Sequence, residues 1–215
     1  MLSTLLRVIQ DIVAPRPPFV RALERMRTEE IRVTLPVAPS TSNISVPSGA
    51  LFAYRDTRVK HVVWEIKYRK NAAIVQKIGQ LLYEKMAAQV EIERRDEKIL
   101  LVPVAASKQR RRKRGFNQCE VICEAIMRCD SAGQFLYEPR ALEKIKHTAH
   151  QADLPREKRL ENLRGAYTVR TPEKVAGRVV YIIDDVITTG ATVSEVASAL
   201  LAADACHVHA FAIAH

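Results

Sequence analysis

Residues 179–203, VVYIIDDVITTGATVSEVASALLAA, read as a strand, a loop and a helix in immediate succession. The opening run Val179-Val180-Tyr181-Ile182-Ile183 is too short for a helix and rich in β-branched residues. That is the signature of a strand buried on both faces. The closing apolar positions Val193, Val196, Ala197, Leu200 and Leu201 keep the spacing of an amphipathic helix. Between them lie Asp184 and Asp185, then Val186, Ile187 and the run Thr188-Thr189-Gly190-Ala191-Thr192. Two carboxylates are therefore expected at the carboxyl end of a buried strand, where open α/β sheets bind ligands. The hydroxyl-rich loop leads into a helix N-terminus, whose free N–H groups and dipole attract an anion.

This arrangement suits a phosphorylated sugar. Adjacent acids can accept hydrogen bonds from neighbouring ribose hydroxyls, while Thr188, Thr189, Thr192 and the Gly190 backbone wrap a phosphate. No lysine follows the glycine in P-loop spacing, and no GxGxxG turn is present. The stretch resembles the 5-phosphoribosyl 1-diphosphate (PRPP) signature of type I phosphoribosyltransferases: an apolar strand, two acids, two apolar residues, then TTGAT.

Working outward, Ile99–Val104 is a second buried strand, and it delivers its end to a basic loop, Lys108–Arg114 (KQRRRKR). That run carries +6 of the chain's net +10. A helix from Asn117 to Arg128 follows, with Asn117 and Glu120 spaced as a capping box. Two strand–loop–helix units in one parallel sheet open their loops on the same edge, so that edge is the expected site. Earlier, Ala50–Tyr54 is a strand candidate. Asp56 or Thr57 then caps a helix through Val59, Val62, Val63 and Ile66. It ends at Lys67-Tyr68-Arg69, where Lys67 has two readings, an approach to the diphosphate and, the commoner one for a helix-end lysine, a solvated side chain. A second helix has Ile74, Val75, Ile78, Leu81 and Leu82 on one face. Phe135–Tyr137, Ala166–Val169 and His207–Ile213 are further strand candidates, with His207 and His209 on a solvent face. Lys144–Arg164 shows no sustained apolar face and reads as a polar arm, in which His147 has no assigned role.

The 215 residues, 47% of them hydrophobic, allow a sizeable core. No run approaches the ~20 apolar residues of a membrane span, and MLSTLLRVIQDIV lacks the features of a signal peptide. A cytoplasmic protein with reduced thiols at Cys119, Cys123, Cys129 and Cys206 is expected. Residues 1–50 read as an appendage, with a short first helix, a proline cluster, a charged helix from Phe19 to Glu30 and a loop-like stretch to Ala50. Residues 51–215 read as the main domain.

Several pieces together resemble the ComF family of phosphoribosyltransferase-like proteins, associated with DNA uptake in competent bacteria. They are Ile66-Lys67-Tyr68, Pro103-Val104, RRRxRGFNQ from Arg110 to Gln118, Thr148-x2-Gln151, Arg156, Arg159-x2-Asn162, Gly165-Ala166-Tyr167 and DDVITTGAT. The resemblance implies an α/β type I phosphoribosyltransferase fold, a flavodoxin-like parallel sheet flanked by helices beneath a small N-terminal hood. It implies PRPP as substrate and Mg²⁺ as the ion bridging diphosphate and sugar. Asp184 and Asp185 would act at the ribose hydroxyls directly or through Mg²⁺. Val186 and Thr188–Thr192 would hold the 5-phosphate, and the backbone of Val104, Ala105 and Ala106 the diphosphate. Lys144–Arg159 would close over the site. A homodimer is left open, since phosphoribosyltransferases often dimerise.

Two departures matter. Many members begin with a zinc ribbon of paired CxxC motifs, but the first cysteine here is Cys119, so no zinc is expected. Purine-salvage relatives carry Asp three residues after the second acid, whereas this chain has Thr188. A different class of function stays open beside transfer: a PRPP-sensing scaffold binding single-stranded nucleic acid through Lys108, Arg110, Arg111, Arg112, Lys113 and Arg114. Against it, only Phe116 supplies an aromatic next to that run.

Overall fold

A computed structural model describes residues 16–39, 44–93, 97–146 and 165–215. Two short helices come first, α1 (Pro18–Arg25) and α2 (Thr28–Thr34). The expected single helix from Phe19 to Glu30 is thus broken at Met26 and Arg27, both extended in backbone. Strand β1 (Ser48–Phe52) leads to α3 (Thr57–Trp64), which continues as a π-helical turn over Glu65–Arg69. Asp56 caps α3, accepting from the Arg58 N–H at 2.7 Å. Lys70 closes the turn in left-handed backbone, φ 48°. Helix α4 (Ala72–Glu93) and strand β2 (Ile99–Pro103) follow.

The basic run is not a loop. Lys108–Arg114 forms helix α5, opened by Ser107, whose hydroxyl accepts from the Arg110 N–H, and closed by Gly115 at φ 81°. Then come α6 (Gln118–Cys129), β3 (Phe135–Tyr137), β4 (Leu142–Lys144), β5 (Tyr167–Val169), α7 (Pro172–Val175), β6 (Val179–Val186), α8 (Ala191–Leu201) and β7 (His207–Ala214). Asn117 caps α6 through the Cys119 N–H, while Glu120 is taken by Arg111 at 3.0 Å rather than completing a capping box.

The main sheet is parallel, in the order β1-β7-β6-β2-β3. Alternate side chains feed two cores. Ile99, Leu101, Tyr181, Ile183, Phe211 and Ile213 face α3, α4 and α6. Leu100, Val102, Val180, Ile182, Ala210 and Ala212 face α8 on the other side. Both faces are therefore covered, as the unbroken apolar runs require. Where α4 meets α6, a Cβ on Gly79 would lie 2.4 Å from the Ala125 Cβ, so only glycine permits that approach. The connection after β6 runs over one face through α8 and that after β2 over the opposite face through α6. Between these neighbouring strands the winding reverses, which opens a crevice at their carboxyl ends.

The first elements pack onto the same core, burying Val20, Leu23, Ile31 and Leu35, and Val37 bridges Phe52 antiparallel. On the α8 side, β4 and β5 form an antiparallel ribbon pairing Lys144 with Tyr167. Lys144 belongs to this ribbon rather than to a polar arm. The arm from His147 on, with Thr148, Gln151, Arg156, Arg159 and Asn162, lies outside the described residues, as does the stretch expected to form a first helix. His207 is exposed, whereas His209 is half-buried, 5.3 Å from the Tyr181 ring.

Candidate functional site

The pleat sends Asp184 and Asp185 to opposite sides of the strand end. Asp184 lies towards Cys119, whose thiol is 3.7 Å from Oδ1, and the same oxygen accepts the Asp185 N–H at 2.8 Å. Asp185 turns to the π-helical segment, where Lys67 Nζ lies 2.7 Å from Oδ2, and its Oδ1 accepts the Val186 N–H at 2.9 Å. The two aspartates are only 8% and 5% exposed. Burial pushes the Asp184 carboxyl well above the usual carboxylate range, and the adjacent Asp185 charge pushes the same way. Burial alone would depress Lys67, but Asp185 and Asp184 outweigh it and hold the ammonium above the ordinary lysine value. Lys67 is therefore not a solvated helix end. It forms a direct ion pair with Asp185 and acts on Asp184 only from farther away, too weakly to offset that carboxyl's burial.

Beyond the acids the chain turns through Ile187–Gly190 into α8. Gly190 sits at φ 77°, a left-handed conformation that disfavours side chains, and a Cβ there would lie 2.9 Å from Ile44 Cγ1. The Thr189 hydroxyl accepts the Ala191 N–H at 3.4 Å. The N-cap Gly190 offers no side chain to the amides beyond Ala191 and no acid lies in the first turn, so the rest of the amide end faces the loop open to an anion. Across the crevice, the Val104 N–H donates to Ile183 O at 2.9 Å, and Asn117 Nδ2 donates to Val104 O at 3.0 Å. These bonds pin the start of the loop after β2 to its neighbouring strand.

The crevice is a cleft of about 620 Å³ between these loops. Val104, Ala105, Ala106, Asp184, Asp185, Val186, Thr188 and Thr192 all line it. Thr189, Gly190 and Ala191 build the turn beside it. Helical spacing divides the basic run. Arg110 and Arg114, one turn apart, face the cleft, while Lys108 and Arg111 pair with Glu143 and Glu120 at 3.2 and 3.0 Å. Arg112 and Lys113 are solvent-exposed.

Lys60, Lys67 and Lys144 bring the lining to five cations against two carboxylates. The cleft can thus hold a strongly anionic ligand over a small acidic floor. Burial draws the Lys144 ammonium down to about 8, Arg110 acts the same way and Asp184 opposes. Burial raises the Tyr167 hydroxyl, with Asp184 adding to it.

Sequence patterning gave Tyr167, Cys119, Trp64 and Tyr68 no role at this site, weighed Lys67 mainly as a solvated helix end, and placed Lys144 only as the start of a closing arm. For Trp64 and Tyr68 a signal existed: four residues apart, they share one helix face.

No family model matches the chain. It is 30% identical over 145 residues to the DNA utilization protein YhgH of Escherichia coli O157:H7, covering 65% of this chain and 60% of that protein. It is 30% identical over 104 residues to Competence protein F of Haemophilus influenzae, covering 46% and 43%. The chain thus spans about 60% of the length of the YhgH relatives it matches. Among solved structures, a hypoxanthine phosphoribosyl transferase of Trypanosoma cruzi superposes with a TM-score of 0.41 at 11% identity, over 64% of this chain and 63% of that one. At that level the sheet topology, not the neighbour, defines the fold. The chain is thus similar in sequence to YhgH and to Competence protein F, the latter in line with the ComF resemblance of its motifs.

Proposed function

We propose that this chain binds PRPP with Mg²⁺ and transfers the phosphoribosyl group with release of diphosphate, in a role linked, as its relatives' names suggest, to DNA uptake or use. The observation that carries this reading is the cleft at the winding reversal. It sets a buried acid pair between a helix N-terminus that starts at a glycine and a loop flanked by arginines. Those three parts match the three parts of PRPP: ribose hydroxyls, 5-phosphate and diphosphate.

Asp184 and Asp185 accept hydrogen bonds from the ribose hydroxyls, and the loop Thr188–Thr192 with the first amides of α8 receives the 5-phosphate. The backbone of Val104–Ala106, with Arg110 and Arg114 beside it, receives the diphosphate. As the bond from C1′ to the diphosphate oxygen breaks, its electron pair leaves with diphosphate and the ring becomes oxocarbenium-like. The chain's task is to hold the sugar and favour the departing charge rather than to provide a nucleophile.

The donor set fits Mg²⁺. Asp184 is a buried carboxyl with no salt bridge among the described residues, Lys67 acting on it only from farther away, and no group of three or more His, Cys, Asp or Glu side chains forms a protein cage there. Mg²⁺ commonly binds through one or two carboxylates plus phosphate oxygens. Asp184 and Asp185 would hold it, and it would supply charge neutralisation to the leaving group.

Calorimetric titration with PRPP and Mg²⁺ tests the reading. Binding by the parent and none by the folded Asp184→Asn/Asp185→Asn variant is expected. No binding by a folded parent would leave the nucleic-acid reading. The exposed Arg112 and Lys113 favour that alternative, and its mark would be single-strand affinity that falls steeply with salt.

A further inference from the structure

The turn that carries Lys67 to Asp185 is held from behind by a buried polar network. Glu65 and Asn71 bracket the turn and are only 1% and 8% exposed. The Glu65 carbonyl accepts the Lys70 and Asn71 N–H groups, the latter at 3.4 Å, which closes the π-helical turn. The Asn71 side chain then fastens three elements. Its Nδ2 donates to Glu65 Oε2 at 3.0 Å and to Glu24 Oε1 of α1 at 2.6 Å, and its Oδ1 accepts the Ile74 N–H of α4 at 3.4 Å. Two cations balance the two acids. The Arg16 guanidinium donates to Glu24 at 2.6 Å, and Arg69 lies 3.6 Å from Glu65 and 5.1 Å over the Trp64 ring.

Packing does not require this network. Val20 and Leu23 of α1, and Val62, Val63 and Ile66 beside the turn, already anchor both segments in the apolar core. Buried ion pairs add little net stability, because desolvation offsets their attraction, and their best-attested use is to select one arrangement. Here that arrangement is a wide turn at the end of a helix, a geometry frequent at functional sites. An α-helix rotates about 100° per residue, so one residue more or less before position 67 swings its side chain away from Asp185.

We infer that Asn71 and Glu65 are positioning residues for the site: with Glu24 they lock the π-helical turn so that the Lys67 ammonium meets Asp185, and they couple the N-terminal segment to the acid pair. Such a satisfied network rigidifies what it joins. Asparagine suits its centre, because the amide donates to two carboxylates while the oxygen caps α4. Aspartate would add a third negative charge there, and leucine would give neither acid a donor from this position. The inference rests on the phosphoribosyl reading only for the ligand that the held ammonium serves.

Trace acetylation with acetic anhydride tests it, with the labelling of Lys67 relative to exposed Lys98 followed by mass spectrometry. The proteins are the parent, Asn71→Ala, Glu24→Ala and Glu24→Gln. Only a free, neutral amine reacts, so Lys67 should label slowly in the parent. It should label about tenfold faster in folded Asn71→Ala, which loses two hydrogen bonds to carboxylates. Glu24→Ala should give about a threefold rise, and Glu24→Gln, which keeps an oxygen for Asn71, should restore the parent rate. A network that only stabilises lowers Tm without changing the Lys67 rate in folded protein, and that result overturns the inference. So does a rise in Glu24→Ala that Glu24→Gln fails to restore. Should Asn71→Ala not fold, the Glu24 pair decides alone. Calorimetry with PRPP and Mg²⁺ on the same proteins keeps the two readings apart. Binding about tenfold weaker in Asn71→Ala is expected, and unchanged binding despite faster labelling overturns the role at the site. No binding by the parent overturns the phosphoribosyl reading, while the labelling still decides whether the network holds Lys67.

Discussion

The two loops that face each other across the cleft follow neighbouring strands of one sheet, yet they are built oppositely. After β6 the chain places its charge inside: Asp184 and Asp185 are buried, Asp185 in a direct ion pair with Lys67 and Asp184 in none among the described residues. After β2 the loop itself is nearly uncharged, Val104-Ala105-Ala106-Ser107, and the charge waits one helix further on, half-exposed at Arg110 and Arg114. The difference teaches how one edge can grip both ends of a polar molecule. Buried acids provide fixed, desolvated acceptors whose cost is carried by the fold. Arginines at the rim provide donors that lose less hydration and reach bidentately.

Removing Lys67 strikes the acidic loop hardest. Lys67→Met leaves Asp185 buried without its partner and should destabilise the protein by about 3 kcal/mol, a Tm loss of roughly 6–12 °C. Adding Asp185→Asn should restore most of it, as thermal unfolding of the single and double variants will show. If Lys67→Met alone costs nothing, the acidic loop is not held as described.

The basic side should fail in binding rather than in stability. Arg110→Gln/Arg114→Gln should weaken diphosphate binding about 100-fold by calorimetry, at two charge-assisted contacts each worth ~1.5 kcal/mol. An equal loss of Tm would mean that these arginines brace the fold instead.

A smaller effect separates function from stability within the acid pair. The folded state holds the Asp184 proton more tightly than the unfolded chain does, so native protein binds more protons and stability falls as pH rises from about 4. Asp184→Asn should lift that penalty, with a gain of about 1–2 kcal/mol at pH 7.5 and a Tm rise of roughly 3–6 °C. The gain should vanish near pH 4, where the unfolded carboxyl is protonated too. A Tm gain independent of pH would contradict the burial argument.

The smallest effect lies at the rim. Lys144 loses its proton as pH rises through about 8, so diphosphate affinity should drop about threefold between pH 7 and 9. Lys144→Met should flatten that slope.

What could be read in the sequence divides along the same line. The β6 loop was legible because its signals are local: an unbroken apolar run, two acids, a glycine at a helix start. The fold followed from two such units sharing a sheet. The basic side was half legible. KQRRRKR has no apolar periodicity, so it read as a loop, although Ser107 and Gly115 were the cap and stop of a helix. The pairing of Lys67 with Asp185 joins residues over a hundred positions apart, and nothing local announces it. Lys144 reaches the cleft only because a three-residue strand pairs with β5, a contact too short to leave a pattern.

The most direct measurement is a paired titration of ribose 5-phosphate and diphosphate, separately, into the parent, Gly190→Val and Arg110→Gln/Arg114→Gln. Opposed loops that grip opposite ends of one ligand predict a double dissociation. Gly190→Val should lose ribose 5-phosphate and keep diphosphate, and the arginine variant should do the reverse. Equal loss of both ligands in either folded variant, or no binding of either by the parent, would contradict it.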